Sequence, residues 1–136
     1  MRGRIHIFVS LILAFLIVPL LLRFGYVHAF TAGMLFILGG ILPDSDIKGS
    51  FIHRNFWFIA IPVHLVEIPL SLVMGKKLGH RQSLHTVLGA VVTSLVVALV
   101  VSLVFVLVGG FRNYTFFLFF PSLVVGQVVH LGMDLF

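Results

Sequence analysis

Imidazole and carboxylate are the only strong ligand groups in this sequence, which has seven histidines, four acidic residues and no cysteine. Disulfide staples, thiolate zinc sites and cysteine nucleophiles are thereby excluded. The groups that remain fall in short spacings suited to a metal. His130 and Asp134 are four apart, so on a helix they share a face. An aspartate in a last helical turn faces the negative end of the helix dipole, a cost that a cation would offset. Pro43-Asp44-Ser45-Asp46 sets two carboxylates just past a hydrophobic run. They are close enough to share one or two cations; without positive charge they repel, and one stays protonated. In His80-Arg81-Gln82-Ser83-Leu84-His85, Ser83 can cap a helix starting at Leu84, with His80 in the preceding loop and His85 in the first turn. The positive helix end there disfavours a charged imidazole and leaves a nitrogen free for metal. His6 is a further candidate. Each group also has a bland reading: Asp134 hydrated among headgroups, His130 neutral and bonded across helices, Arg81 anchored to lipid phosphates.

The elements that must carry these groups are membrane helices. Of 136 residues, 60% are hydrophobic and 10% charged, with mean hydropathy +1.22. A soluble globule needs roughly 25% charged residues to hydrate its surface. The net charge of +5 therefore reports orientation in a bilayer rather than nucleic-acid binding. Four apolar runs, residues 5–22, 24–42, 84–108 and 114 onward, each approach the roughly 20 residues that a crossing needs. Arg2 and Arg4 precede the first run, but no small-residue cleavage site follows it, which predicts a retained helix rather than a cleaved leader. Residues 56–74 are long enough to cross yet contain Pro62, Pro69 and Glu67. Prolines withdraw backbone donors, and a lipid-facing glutamate costs several kcal/mol unless paired, as His64 three residues earlier would allow.

Loop charges separate the possible topologies. If residues 56–74 cross, Arg2, Arg4, Lys48, Arg54 and Arg112 face Arg23, Lys76, Lys77 and Arg81, five against four. If they do not, Arg2, Arg4, Lys48, Arg54, Lys76, Lys77 and Arg81 face Arg23 and Arg112, seven against two, which is a positive-inside bias. The expectation is an all-α integral membrane protein with four transmembrane helices plus a proline-broken interfacial or re-entrant helix. Five transmembrane helices is the alternative. Residues 1–136 form a single helical membrane domain, 43–83 a cytoplasmic-side subdomain, and both termini are cytoplasmic. This topology brings His6, Asp44, Asp46, His80, His85, His130 and Asp134 to one side and leaves His28 near the other. Gly33, Gly39, Gly40, Gly89 and Gly126 are positioned for close helix contact, and no glycine-rich phosphate loop is present.

These residues together resemble the YdjM-like family of membrane-bound predicted metal-dependent hydrolases. That family is characterised by an N-terminal histidine, a proline-aspartate-x-aspartate motif after a hydrophobic helix, an HR-x-x-x-H element and a late glycine-x-x-x-histidine-x-x-x-aspartate. Here these are His6, Pro43-Asp44-Ser45-Asp46, His80-Arg81-Gln82-Ser83-Leu84-His85, and the run from Gly126 through His130 to Asp134. The match covers most of the chain in order. Gln82 and Leu84 stand where glycine and threonine are usual, and relatives commonly continue past the position of Phe136. The family is held to be remotely similar to zinc-dependent phospholipase C and the P1-type nucleases, whose metal clusters also use an HxxxD pair. The resemblance implies a phosphoester hydrolase in which His130 and Asp134 hold one metal, with the aspartate pair and His85 completing the cluster.

The expected protein is thus a multi-pass protein of the cell inner membrane and a metal-dependent hydrolase, acting on phosphoesters or lipid headgroups at the cytoplasmic membrane boundary. Its candidate metal ligands are His6, Asp44, Asp46, His80, His85, His130 and Asp134. They suit one or two divalent ions, zinc first and then manganese or iron, better than copper(I). The candidate catalytic groups are Asp44 and Asp46, either of which can orient water, and Arg81, with Lys76 or Lys77 behind it, to hold phosphate. Membrane lipid is the expected partner. A phospholipid or other phosphoester substrate and a cytoplasmic protein partner also fit the basic surface; nucleic acid does not. Two other classes stay open. A non-enzymatic scaffold would use metal to fasten helix ends. An ion or proton transporter would need polar residues across the whole bilayer, and residues 84–108 offer only His85, Thr86, Thr93, Ser94 and Ser102.

Overall fold

A computed structural model describes residues 2–46, 65–69, 71–73, 75 and 85–135, the side chains of 2–4, 45 and 46 excepted. All regular structure among the described residues is helical. Helix α1 spans Arg2–Leu21, and a 3-10 turn, Leu22–Phe24, leads through Gly25 into α2, Tyr26–Gly39. Gly25 takes φ +93°, a left-handed conformation that spares the hairpin the strain a side chain would bring. A second 3-10 helix, Leu42–Asp46, follows α2. Helices α3, Val87–Leu107, and α4, Thr115–Met133, complete the bundle. The expected roles of His80 and Arg81, the Asp46 side chain, and the His64–Glu67 pair lie outside the described residues or depend on residues that do.

The bundle is built for lipid. Phe8, Phe15, Leu20, Leu103 and Phe117 are exposed, whereas His6, Ser10, Thr93, Gln127 and His130 are buried. With no water outside, apolar side chains gain nothing by hiding, and polar groups seek one another inside. Helices α1, α3 and α4 have 20, 21 and 19 residues, each rising about 29–32 Å and so matching a hydrocarbon core of about 30 Å. All three are apolar enough to cross.

Helix α2 departs from expectation. It has 14 residues, about 21 Å, and stops at Gly39 rather than running to Leu42. Two successive glycines, Gly39 and Gly40, weaken the helix, and the chain turns at 40–41 before the 3-10 segment begins. The start of α3 also differs. Thr86, not Ser83, is the N-cap: its hydroxyl accepts from the Gly89 N–H at 3.0 Å, and the helix starts at Val87 rather than Leu84. His85 therefore precedes the cap instead of lying in the first turn.

Close backbone contact sets the packing. A Cβ on Gly126 would strike the Phe36 carbonyl and the Gly40 backbone nitrogen, and one on Gly39 would strike the Leu123 carbonyl, so α2 and α4 pack backbone to backbone. They run in parallel, with Phe36–Gly40 beside 123–130 and His28 beside Thr115. Gly33 receives Val18, and Gly40 receives Ser10, which lays α1 antiparallel along α2. Gln127 bonds Thr93 Oγ1 at 2.9 Å and Ser94 Oγ at 3.1 Å, stapling α3 antiparallel to α4. Ala32, Leu35, Leu42, Ala98, Phe119 and Leu123 form the apolar core between the two ends. The start of α1, the end of α2, the start of α3 and the end of α4 consequently share one end of the bundle.

Candidate metal centre

The centre begins with a missing backbone donor. Along the turn after α2, the Gly40 carbonyl would ordinarily accept from residue 43 in a 3-10 helix or from residue 44 in an α-helix. Residue 43 is Pro43, which has no N–H. The Asp44 N–H goes instead to the Ile41 carbonyl at 3.2 Å. The Gly40 carbonyl is thus left for His130, whose Nδ1 lies 2.8 Å away. A carbonyl can only accept, so His130 Nδ1 carries the hydrogen and its Nε2 carries the lone pair in the neutral ring. Gly126, one turn earlier on α4, lets the backbones approach closely enough for this bond.

His130 Nε2 is buried without a hydrogen-bond partner among the described residues. It lies 3.6 Å from Asp44 Oδ1 and 3.6 Å from Asp134 Oδ2. His85 Nε2 lies 3.7 Å from that same Asp44 oxygen and 3.5 Å from that same Asp134 oxygen. The four atoms form a closed ring in which nitrogen and oxygen alternate. His6 Nε2 approaches the other Asp134 oxygen at 3.6 Å, and its ring meets that of His130 edge to face at 4.2 Å between centroids. The alternating spacings exceed the 2.7–3.2 Å of a good N–H···O hydrogen bond. Two ligands held 2.0–2.2 Å from a tetrahedral ion lie about 3.3–3.6 Å apart, and the ring edges of 3.5–3.7 Å reach from within that range to just above it. The donors are grouped closely enough that they could hold one shared cation.

Five of the seven candidate ligands, His6, Asp44, His85, His130 and Asp134, come together here; the other two, Asp46 and His80, lie outside the described side chains. His6–Asp44–His130 and His85–His130–Asp134 each qualify as a ligand triplet. They share His130, whose Nε2 has one lone pair, so they are one centre rather than two independent ones. The side chains of Asp44 and Asp134 are 20% and 15% exposed, against 0–5% for the three imidazoles, so the carboxylates form the outward side of the ring.

The model of the YdjM inner membrane protein family matches residues 1–136. This chain belongs to that family. The apolar helices agree with the membrane location that the YdjM family name carries. No curated protein and no solved structure matches the chain.

The backbone chemistry of this candidate centre is not visible in the sequence of the YdjM-family chain. The role of Pro43 in releasing the Gly40 carbonyl depends on where α2 ends, which its apolar run does not reveal. The Gln127 staple had a visible signal: an amide beside Gly126 in an otherwise apolar helix must find partners inside. By holding α3 to α4, Gln127 positions His85 opposite His130.

Proposed function

We propose that the chain binds a divalent cation through His6, Asp44, His85, His130 and Asp134 and uses it to hydrolyse phosphoesters at the cytoplasmic boundary of the membrane. The observation that carries this reading is the ring of two imidazole nitrogens and two carboxylate oxygens with edges of 3.5–3.7 Å. The His130 nitrogen facing inward is already in its ligand tautomer, because its other nitrogen donates to a backbone carbonyl. A nitrogen and oxygen donor set suits zinc, then manganese or iron.

Within this reading the five side chains hold the ion. The outward carboxylates admit water and an ester from the headgroup layer, and the apolar core below keeps water from going further. The bound cation supplies Lewis acidity, lowering the pKa of water and offsetting charge that grows on the attacked phosphorus. Asp46 orients the attacking water, and Arg81, with Lys76 or Lys77, holds the phosphate. His80 and Asp46 are the remaining ligand candidates should a second ion be bound.

The topology that serves this chemistry has four crossings. Helix α2 rises about 21 Å, and the five-residue 3-10 helix after it adds about 10 Å, together close to one hydrocarbon thickness. Residues 56–74 then stay on the site side, and both termini are cytoplasmic.

One observation favours a second reading, a metal that fastens helix ends without turnover. Four protein ligands saturate a tetrahedral ion, and structural zinc sites are closed in that way. A six-coordinate ion held by all five donors keeps one position open. Transport has less support: fully buried Phe119 and Leu123, with Ala32 and Ala98, separate the polar ends by an apolar core.

The test is metal analysis of protein purified without chelator, followed by assay of phospholipid and generic phosphodiester hydrolysis. One ion per chain, lost in His130→Ala, with turnover lost in Asp44→Asn that remains folded, supports the hydrolase. One ion without turnover of either substrate leaves the fastening reading. No ion above that of the His130→Ala variant ends both.

A further inference from the structure

The other end of the bundle contains a cavity of about 390 Å³, between the α1–α2 turn and the start of α4. His28, Arg112 and Tyr114 line it, with Phe24 and Phe105 as aromatic walls. The hydrogen bonding around Thr115 defines what this cavity offers. Thr115 is fully buried, and its Oγ1 accepts from the Arg112 backbone N–H at 2.8 Å. Its hydroxyl hydrogen needs an acceptor, and the partner present is His28 Nε2 at 3.1 Å. His28 Nε2 is therefore the lone-pair nitrogen and Nδ1 carries the hydrogen. His28 is 8% exposed, and Nδ1 makes no hydrogen bond among the described residues. Tyr114 gives its phenol hydrogen to the Phe24 carbonyl at 2.9 Å, which ties the turn to α4.

The side-chain groups left to a ligand are thus donors: the Nδ1–H of His28 and the guanidinium of Arg112. Arg112 makes no ion pair among the described residues, and Asp44 and Asp134 lie at the opposite end, about 28 Å away along α4. Arg23 adds positive charge from over the Phe24 ring, at 4.8 Å from its centroid. A cavity with unsatisfied donors and an unpaired guanidinium selects an anion with several acceptor oxygens, and arginine matches phosphate in particular.

We infer that this cavity binds a phosphate group, either on a lipid headgroup or as the free ion, through Arg112 and His28. It is separate from the metal centre, and neither reading needs the other.

The test uses the full chain in neutral detergent. Native mass spectrometry counts retained phosphatidylglycerol, and inorganic phosphate is titrated against it while the His28 ring nitrogens are followed by NMR. Wild-type protein retains the lipid, and Arg112→Gln weakens retention by about 10–100-fold, the loss expected for a charge-assisted hydrogen bond. Arg23→Gln removes an equal charge from the same end without removing a cavity donor, so its effect is several-fold smaller. Displacement of lipid by phosphate with a shift at His28 Nδ1 identifies the phosphate group itself as the ligand. Retention without displacement, still dependent on Arg112, identifies the lipid-borne headgroup as the source. Equal losses in Arg112→Gln and Arg23→Gln, or no loss in Arg112→Gln, overturn the site in favour of a diffuse surface charge.

Discussion

His28 and His130 are both buried imidazoles on the facing pair α2 and α4, yet their surroundings give them opposite polarity. His130 gives its hydrogen to the Gly40 carbonyl and turns a lone pair toward two carboxylates. His28 receives a hydrogen from Thr115 and keeps its own N–H for the cavity. One end of the bundle collects acceptors that could hold a cation, and the other collects donors beside an arginine with no ion pair among the described residues. Residue type does not separate them; the partner of the second ring nitrogen does. A histidine in a membrane helix is thus read through what its other nitrogen touches.

The largest expected effect breaks the acceptor end alone. His130→Ala removes a central donor of the ring, and bound metal falls from one ion per chain to none by elemental analysis, while Arg112-dependent phosphate binding at the other end is unchanged. Next is Gly126→Ala, whose new Cβ meets backbone atoms of Phe36 and Gly40 that cannot rotate aside. Overpacking of this kind costs about 1–3 kcal/mol, and the thermal midpoint falls together with metal affinity because α2 and α4 separate beside His130.

Pro43→Ala sharpens the comparison without removing a ligand. It restores an N–H that competes for the Gly40 carbonyl, and metal affinity falls about 10–100-fold by competition with a chelating dye, as for other losses of a bond to the second nitrogen. Metal uptake by the wild-type chain also falls on acidification, because protons compete with the ion for the imidazole lone pairs. The smallest effect is expected from Thr115→Val. It frees His28 Nε2 at a cost of about 1 kcal/mol in stability, read from the thermal midpoint, and leaves metal content unchanged.

Much of this arrangement was legible in the sequence, for reasons that can be named. The apolar runs identified α1, α3 and α4, since a helix in lipid must be apolar along its whole length. Loop arginines and lysines then grouped His6, Asp44, His85, His130 and Asp134 on one side, and charge bias is a global property that short motifs lack. Local detail was less legible. The end of α2 depends on Gly39 and Gly40 meeting α4, a tertiary contact outside the run itself. The choice of Thr86 over Ser83 as cap could not be made from propensity, because both residue types cap well. The hydrogen on each imidazole nitrogen was beyond reach from sequence, since Gly40 and Thr115 lie 90 and 87 residues from the histidines they serve.

Pro43 has a consequence for anyone improving this protein. Replacing it with a residue of higher helix propensity would look harmless, since it removes no ligand. The same substitution would quietly unset a ligand on the last helix by giving the Gly40 oxygen a nearer suitor. Metal retention therefore depends on a residue that touches no ion, and variants at Pro43 should be assayed for bound metal as well as for heat resistance.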